Sequence, residues 1–244
     1  MKYLIILIWR VWFYSWLIGT IIIAFPVLLI ATSKESWYPI FFKIARAWAN
    51  TILFVMGFKV RKKQEQNLEI DKSYMFCANH TSMIDIMLML SVIKNPFVFV
   101  GKAELSKIPL FGFFYKRTCI LVDRNSLNSR KAVFAEAERR IQNGLSVCIF
   151  PEGLVPEDES IVLDDFKNGA FVLAIEHNIP IVPISFYDCK KRFSYTFFSG
   201  SPGLLRVKIH NFIKTIDLSL KDKELVKKQT HTIIYNDLLA DLNK

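Results

Sequence analysis

"SYMFCANHTSMID", residues Ser73–Asp85, places two structural periods back to back. Ser73–Ala78 is apolar without alternation, the pattern of a strand covered on both faces. A polar turn begins at His80, with Thr81 or Ser82 as helix cap. Ser82–Ile93 then reads as a helix stopped by Lys94, Asn95 and Pro96. A buried strand that feeds a helix through a short polar turn is a building unit of α/β domains.

The alternation continues outward. Phe97–Gly101, Cys119–Val122, Leu145–Phe150, Ile179–Phe186 and Leu205–Ile213 read as further strands. Asn128–Asn143 reads as a helix closed by Gly144, the residue suited to a left-handed cap. Further helices are expected from about Lys167 to His177 and over Leu220–Leu239. The pattern predicts an α/β fold, a layered mixed sheet flanked by helices.

Upstream the character changes. Val11–Ala31 carries no charged residue. At ~1.5 Å per residue it is just long enough to cross a hydrocarbon core. It also exceeds the apolar core of a signal peptide, about 7–15 residues, so retention is expected. Trp37–Met56 is apolar around most of its circumference, with Lys43, Arg46 and Asn50 on one polar stripe. Such a helix lies against anionic lipid, or pairs with the first as a hairpin in one leaflet; a core helix shows the same pattern. Residues 1–60 therefore read as an N-terminal membrane-embedded two-helix element and 61–244 as the catalytic domain. The composition break at 60–72, "VRKKQEQNLEID", lies between them. The basic flank after the apolar run places the catalytic part on the cytoplasmic side of the membrane.

The whole chain is both oily and basic. Its 244 residues are 52% hydrophobic, with mean hydropathy +0.28 and net charge +10. That combination suits anionic headgroups, phosphorylated substrates or an acidic carrier protein. Nucleic acid is not expected as a partner, because zinc-finger and RRM signatures are absent and apolar residues are in excess. Cys77, Cys119, Cys148 and Cys189 form no CxxC and read as buried free thiols in a reducing compartment.

Ligands of α/β sheets gather beyond the carboxyl ends of strands. Three such ends carry polar clusters: "NHTSMID" (Asn79–Asp85), "VDR" (Val122–Arg124) and "FPEG" (Phe150–Gly153). Lys102 stands just past a fourth strand. With Asp85 in the first helical turn, its carboxylate can fold back to the His80 imidazole. A carboxylate on one ring nitrogen fixes the tautomer, leaves the other as a proton acceptor and stabilises the imidazolium that forms. A G-x-S-x-G elbow is absent, as is H-E-x-x-H, so neither a serine hydrolase nor a zinc enzyme is expected, and no metal site.

"NHTSMID" resembles the NHxSxxD motif of the glycerolipid acyltransferases, the group that includes 1-acylglycerol-3-phosphate acyltransferase. The likeness continues through "KAELSKIPLFG" (Lys102–Gly112), "VDR", "FPEG", "FKNGA" (Phe166–Ala170) and "IPIVPI" (Ile179–Ile184). The resemblance implies direct transfer of a fatty acyl chain from a thioester of coenzyme A or acyl carrier protein, without further cofactor. The acceptor it implies is the free hydroxyl of lysophosphatidic acid, and the product phosphatidic acid. It makes His80 and Asp85 catalytic, and Lys102, Arg124, Glu152 and Gly153 acceptor-binding. The chain departs from the pattern at "EGLV": Leu154 and Val155 stand where the family usually carries Thr and Arg. Lys167 is a candidate substitute for that cation, and the acidic insertion "PEDESIVLDD" (Pro156–Asp165) would repel a phosphate if folded over the site. Another lyso-lipid, of the ornithine or glycine type or a lysophospholipid, is the alternative acceptor. A non-enzymatic lipid binder accounts for the composition but not for the ordered motifs.

Overall fold

The computed structural model describes residues 1–123, 127–156, 158 and 160–243, with the backbone alone for 127–130. Its strands are β1 (Phe58–Gln64), β2 (Met75–Ala78), β3 (Phe97–Lys102), β4 (Ile120–Val122), β5 (Ser146–Ile149), β6 (Ile181–Phe186) and β7 (Gly203–Ile209). They form one mixed sheet in the order β1-β7-β6-β2-β5-β3-β4. From β6 to β4 all neighbours are parallel. The β7 strand runs antiparallel to β6, and β1 runs parallel to β7. Every residue of β2 and of β6 is buried, which is why their sequences are apolar without alternation.

The helices are α1 (Lys2–Ala31), α2 (Tyr38–Val55), α3 (Ile84–Val92), α4 (Phe111–Thr118), α5 (Leu127–Gln142), α6 (Gly169–Glu176), α7 (Cys189–Phe193) and α8 (Lys223–Leu242). Helices α2 and α3 pack together, and α8 packs on β6 and α6. Tyr38, Phe42, Ala49, Ile52 and Leu53 of α2 are buried. The polar stripe of α2 meets protein in part. Arg46 Nε donates to Leu90 O at 2.9 Å and Nη2 to Ser91 O at 3.2 Å, while Asn50 Oδ1 accepts the Ser91 hydroxyl at 2.6 Å. Arg46 thus satisfies carbonyls that the end of α3 leaves open. By contrast, α1 keeps Ile5, Ile8, Val11, Ile18, Ile22, Ile23, Val27 and Ile30 exposed, and it is long and apolar enough to cross a membrane.

Several elements differ from the sequence reading: the short helix α7 is unexpected, and the last strand ends at Ile209 rather than Ile213. The helix expected from Ser82 begins at Ile84, after a turn in which the Thr81 and Ser82 N–H groups donate to the Asp85 carboxylate and Ser82 Oγ accepts the Ile84 N–H at 3.3 Å. The break expected from residue 60 begins inside β1, whose residues from Lys59 to Lys63 are all exposed. As an edge strand β1 has one neighbour and needs no apolar alternation. Helix α4 has no counterpart in the sequence pattern; it starts at Phe111, at the very end of the "KAELSKIPLFG" segment. The four cysteines are free as expected, and burial pushes each thiol upward.

Candidate active site

Parallel strands put the carboxyl ends of β2, β5, β3, β4 and β6 on one edge of the sheet. Asn79 closes the end of β2. Its Nδ2 donates to Phe186 O at 3.0 Å, and its Oδ1 accepts the Phe186 N–H at 2.8 Å, so the side chain continues the pairing to β6. His80 is the next residue out. Its Nδ1 lies 2.9 Å from Asp85 Oδ2. That same oxygen accepts the N–H of Thr81 at 2.7 Å and of Ser82 at 2.8 Å. Asp85 is fully buried at the start of α3, where the helix dipole favours a negative charge. A carboxylate so engaged accepts from Nδ1–H, which leaves His80 Nε2 with the lone pair. The imidazole lies flat on the Phe150 ring, with centroids 4.2 Å apart and planes at 17°. Its side chain keeps 19% of its surface open.

Glu152 reaches the same turn from β5. Its Oε1 accepts the His80 N–H at 2.7 Å and its Oε2 the Asp164 N–H at 3.0 Å. The residue is 2% exposed. Burial pushes its carboxyl up to about 7, against the opposing pull of the two N–H groups and of His80. Both oxygens are therefore committed to backbone, one under the candidate base and one at the end of the acidic insertion. Gly153 closes the turn. Its N–H donates to Phe150 O at 2.9 Å, and its φ of 85° is a value that suits glycine.

The other candidates lie around this cluster. Lys102 ends β3, exposed, on the same sheet edge. The Lys167 side chain is exposed, and its backbone N–H donates to Pro151 O at 2.8 Å, beside the Glu152 turn. Leu154, at the position the family motif gives to Thr, is 42% exposed. Arg124 lies outside the described residues. Asn79, Ser82 and Phe150 carry structural duties that reading the motifs did not assign to them. The cavity of about 550 Å³ between the end of α1, α4 and α5 is lined by Lys34, Tyr38, Arg117 and Arg140 among others, and not by His80 or Asp85.

A histidine held by a buried carboxylate at the carboxyl edge of a mixed α/β sheet is an arrangement chemically able to move a proton. The family described as Acyltransferase matches residues 59–187, more than half of the chain, and the protein belongs to it. It is an acyltransferase. The chain is similar to the 1-acyl-sn-glycerol-3-phosphate acyltransferase of Escherichia coli (strain K12), 31% identical over 53% of this chain and 53% of that one. It is also similar to human 1-acyl-sn-glycerol-3-phosphate acyltransferase beta, 28% identical over 69% of this chain and 61% of that one. It thus spans little more than half the length of these relatives. The crystal structure of the 1-acyl-sn-glycerophosphate acyltransferase from Thermotoga maritima shares the fold, with a TM-score of 0.82 over 100% of this chain and 99% of that one at 20% identity.

Proposed function

We propose that this acyltransferase moves a fatty acyl chain from a thioester to the free hydroxyl of lysophosphatidic acid, giving phosphatidic acid. The observation that carries the reading is the 2.9 Å contact between His80 Nδ1 and Asp85 Oδ2 at the carboxyl edge of the sheet. It is supported by relatives whose names state that activity. His80 Nε2 takes the proton of the acceptor hydroxyl as the oxygen attacks the thioester carbonyl. The tetrahedral centre collapses, the carbon–sulfur bond breaks, and the imidazolium returns the proton to the leaving thiolate. Asp85 orients the ring and stabilises its charged form. Lys102 and Arg124 contact the acceptor phosphate. Glu152 and Gly153 shape the turn beside it, and Glu152 acts through the backbone of His80. The donor, coenzyme A or acyl carrier protein, is an acidic partner suited to a chain of net charge +10. Residues 1–60 hold the protein at the membrane, with the catalytic part on the cytoplasmic side.

One observation favours a second acceptor. Leu154 and Val155 replace the hydroxyl and guanidinium usual after Glu152-Gly153 in this family. An acceptor without a phosphate monoester, such as a lyso-aminolipid of the ornithine or glycine type, fits that loss.

The experiment supplies purified, detergent-solubilised enzyme with a long-chain acyl donor and a panel of lyso-lipids, and reads product mass for each. Transfer to lysophosphatidic acid well above the others supports the first reading. Silence on it, with transfer to an aminolipid, supports the second. Arg124→Ala separates them again. An anion that loses a charge-assisted partner worth about 1.5–3 kcal/mol shows a steep rise in KM, whereas an acceptor without the phosphate shows a mild one.

A further inference from the structure

Arg10 stands among the apolar residues of α1 and is 2% exposed. A buried charge needs partners. Here they are carbonyl oxygens: Nη2 donates to Ser194 O at 2.8 Å, Thr196 O at 3.0 Å and Ser199 O at 3.0 Å. The guanidinium lies over the Phe193 ring, 4.4 Å from its centroid. Phe13 and Trp9, on the same helix, pack on that ring with centroids at 4.5 Å and 5.4 Å. One face of α1 thus grips residues 193–199.

The gripped segment reaches the reaction centre. Phe193 O accepts the hydroxyl hydrogen of Ser82, a residue with no exposed surface. The Ser82 N–H donates to Asp85 Oδ2, the oxygen that faces His80 Nδ1. An unbroken series of contacts therefore runs from α1 through the 193–199 segment and the Ser82 turn to the His80–Asp85 pair.

We infer that Arg10 is a positioning residue for acyl transfer: by tying down residues 193–199 it holds the Ser82 turn, and through that turn the geometry of His80 and Asp85. The inference rests on the reading of His80 as the general base. Displacements of ~1 Å at a reacting group cost on the order of 10²-fold in rate. Lysine is an imperfect substitute, because its compact ammonium on a shorter side chain cannot stack flat on Phe193 as the planar guanidinium does.

The test uses the full-length, detergent-solubilised protein and compares wild type, R10K, R10Q, S82A, R10K/S82A and H80A by initial rates, with folding followed by near-UV circular dichroism. The expected kcat falls on the order of 10²-fold in R10Q and about tenfold in R10K, with both KM values held within about twofold. S82A also lowers kcat, and R10K/S82A is no slower than S82A, since both substitutions act on one path. Wild-type kcat in R10K, a change in KM rather than kcat, or multiplied losses in the double variant would each overturn the proposal. R10K carries the decision if R10Q does not fold. An active H80A refutes the base assignment instead, whatever the Arg10 variants do.

Discussion

Glu152 Oε1 accepts the backbone N–H of His80 at 2.7 Å, joining residues 72 positions apart in the chain. The bond forms because β2 and β5 are sheet neighbours, which brings the residues beyond their carboxyl ends together. The candidate base is therefore held from both sides, by Asp85 at its ring and by Glu152 at its backbone.

A buried carboxyl raised from 4.5 to about 7 makes stability depend on pH. Between those values the folded state binds more protons than the unfolded one, so stability falls as pH rises through the window. Relative to E152Q, the wild type loses stability from about pH 4.5 to about pH 7, by up to about 1.4 kcal/mol per pH unit. Urea unfolding of both proteins at about pH 5 and about pH 8 measures the gap. A wild type that gains on E152Q toward the higher pH would contradict the assignment.

His80→Ala abolishes detectable transfer, and Asp85→Asn lowers kcat on the order of 10²–10⁴-fold. Asp85→Asn keeps the fold. One amide oxygen can still accept the three N–H groups at Oδ2, while the buried amide N–H groups at the Oδ1 position lack a strong acceptor among the described residues and cost about 1–3 kcal/mol, which lowers Tm without unfolding the protein. Steady-state rates beside thermal unfolding curves separate loss of chemistry from loss of structure. Near-normal turnover in folded His80→Ala would remove the general base from the mechanism.

Gly153→Ala places a side chain on a residue at φ 85° and costs about 1–2 kcal/mol. Because the turn carries Glu152, kcat falls together with Tm. A variant with unchanged Tm and rate would show that the turn tolerates a left-handed alanine.

Phe150→Leu removes the ring under the imidazole and keeps an apolar side chain in its place. Such a stack is worth about 0.5–1.5 kcal/mol, which predicts a fall in kcat of roughly 2–10-fold with the donor KM unchanged. Equal kcat in the two proteins would show that Phe150 fills space and does no more.

The parts of the fold that the sequence disclosed are those from which water is excluded. Met75–Ala78 and Ile181–Phe186 are covered on both faces, so their composition alone marks them as central strands. Phe58–Gln64 is an edge strand with exposed lysines, and nothing in its composition separates it from a linker. The eight residues of Phe111–Thr118 are too few for a periodic signal to emerge. In the site, His80 and Asp85 were legible because five positions and one turn join them. The contacts of His80 with Phe150 and Glu152 were not, because they depend on which strands lie side by side. Periodicity also marked the apolar face of α2 without showing that much of it packs against protein.

The pairing of β1 with β7 has a consequence for biogenesis. Phe58 and Gly203 are register partners, yet most of the chain separates them. At ~5–20 residues per second, a ribosome releases the second on the order of ten seconds after the first. Until then β1 emerges with no neighbour, an open strand beside a growing hydrophobic core. Lys59, Arg61, Lys62 and Lys63 repel other copies of the same strand during that interval. The charges that keep the finished sheet edge from recruiting a second molecule serve the nascent chain first.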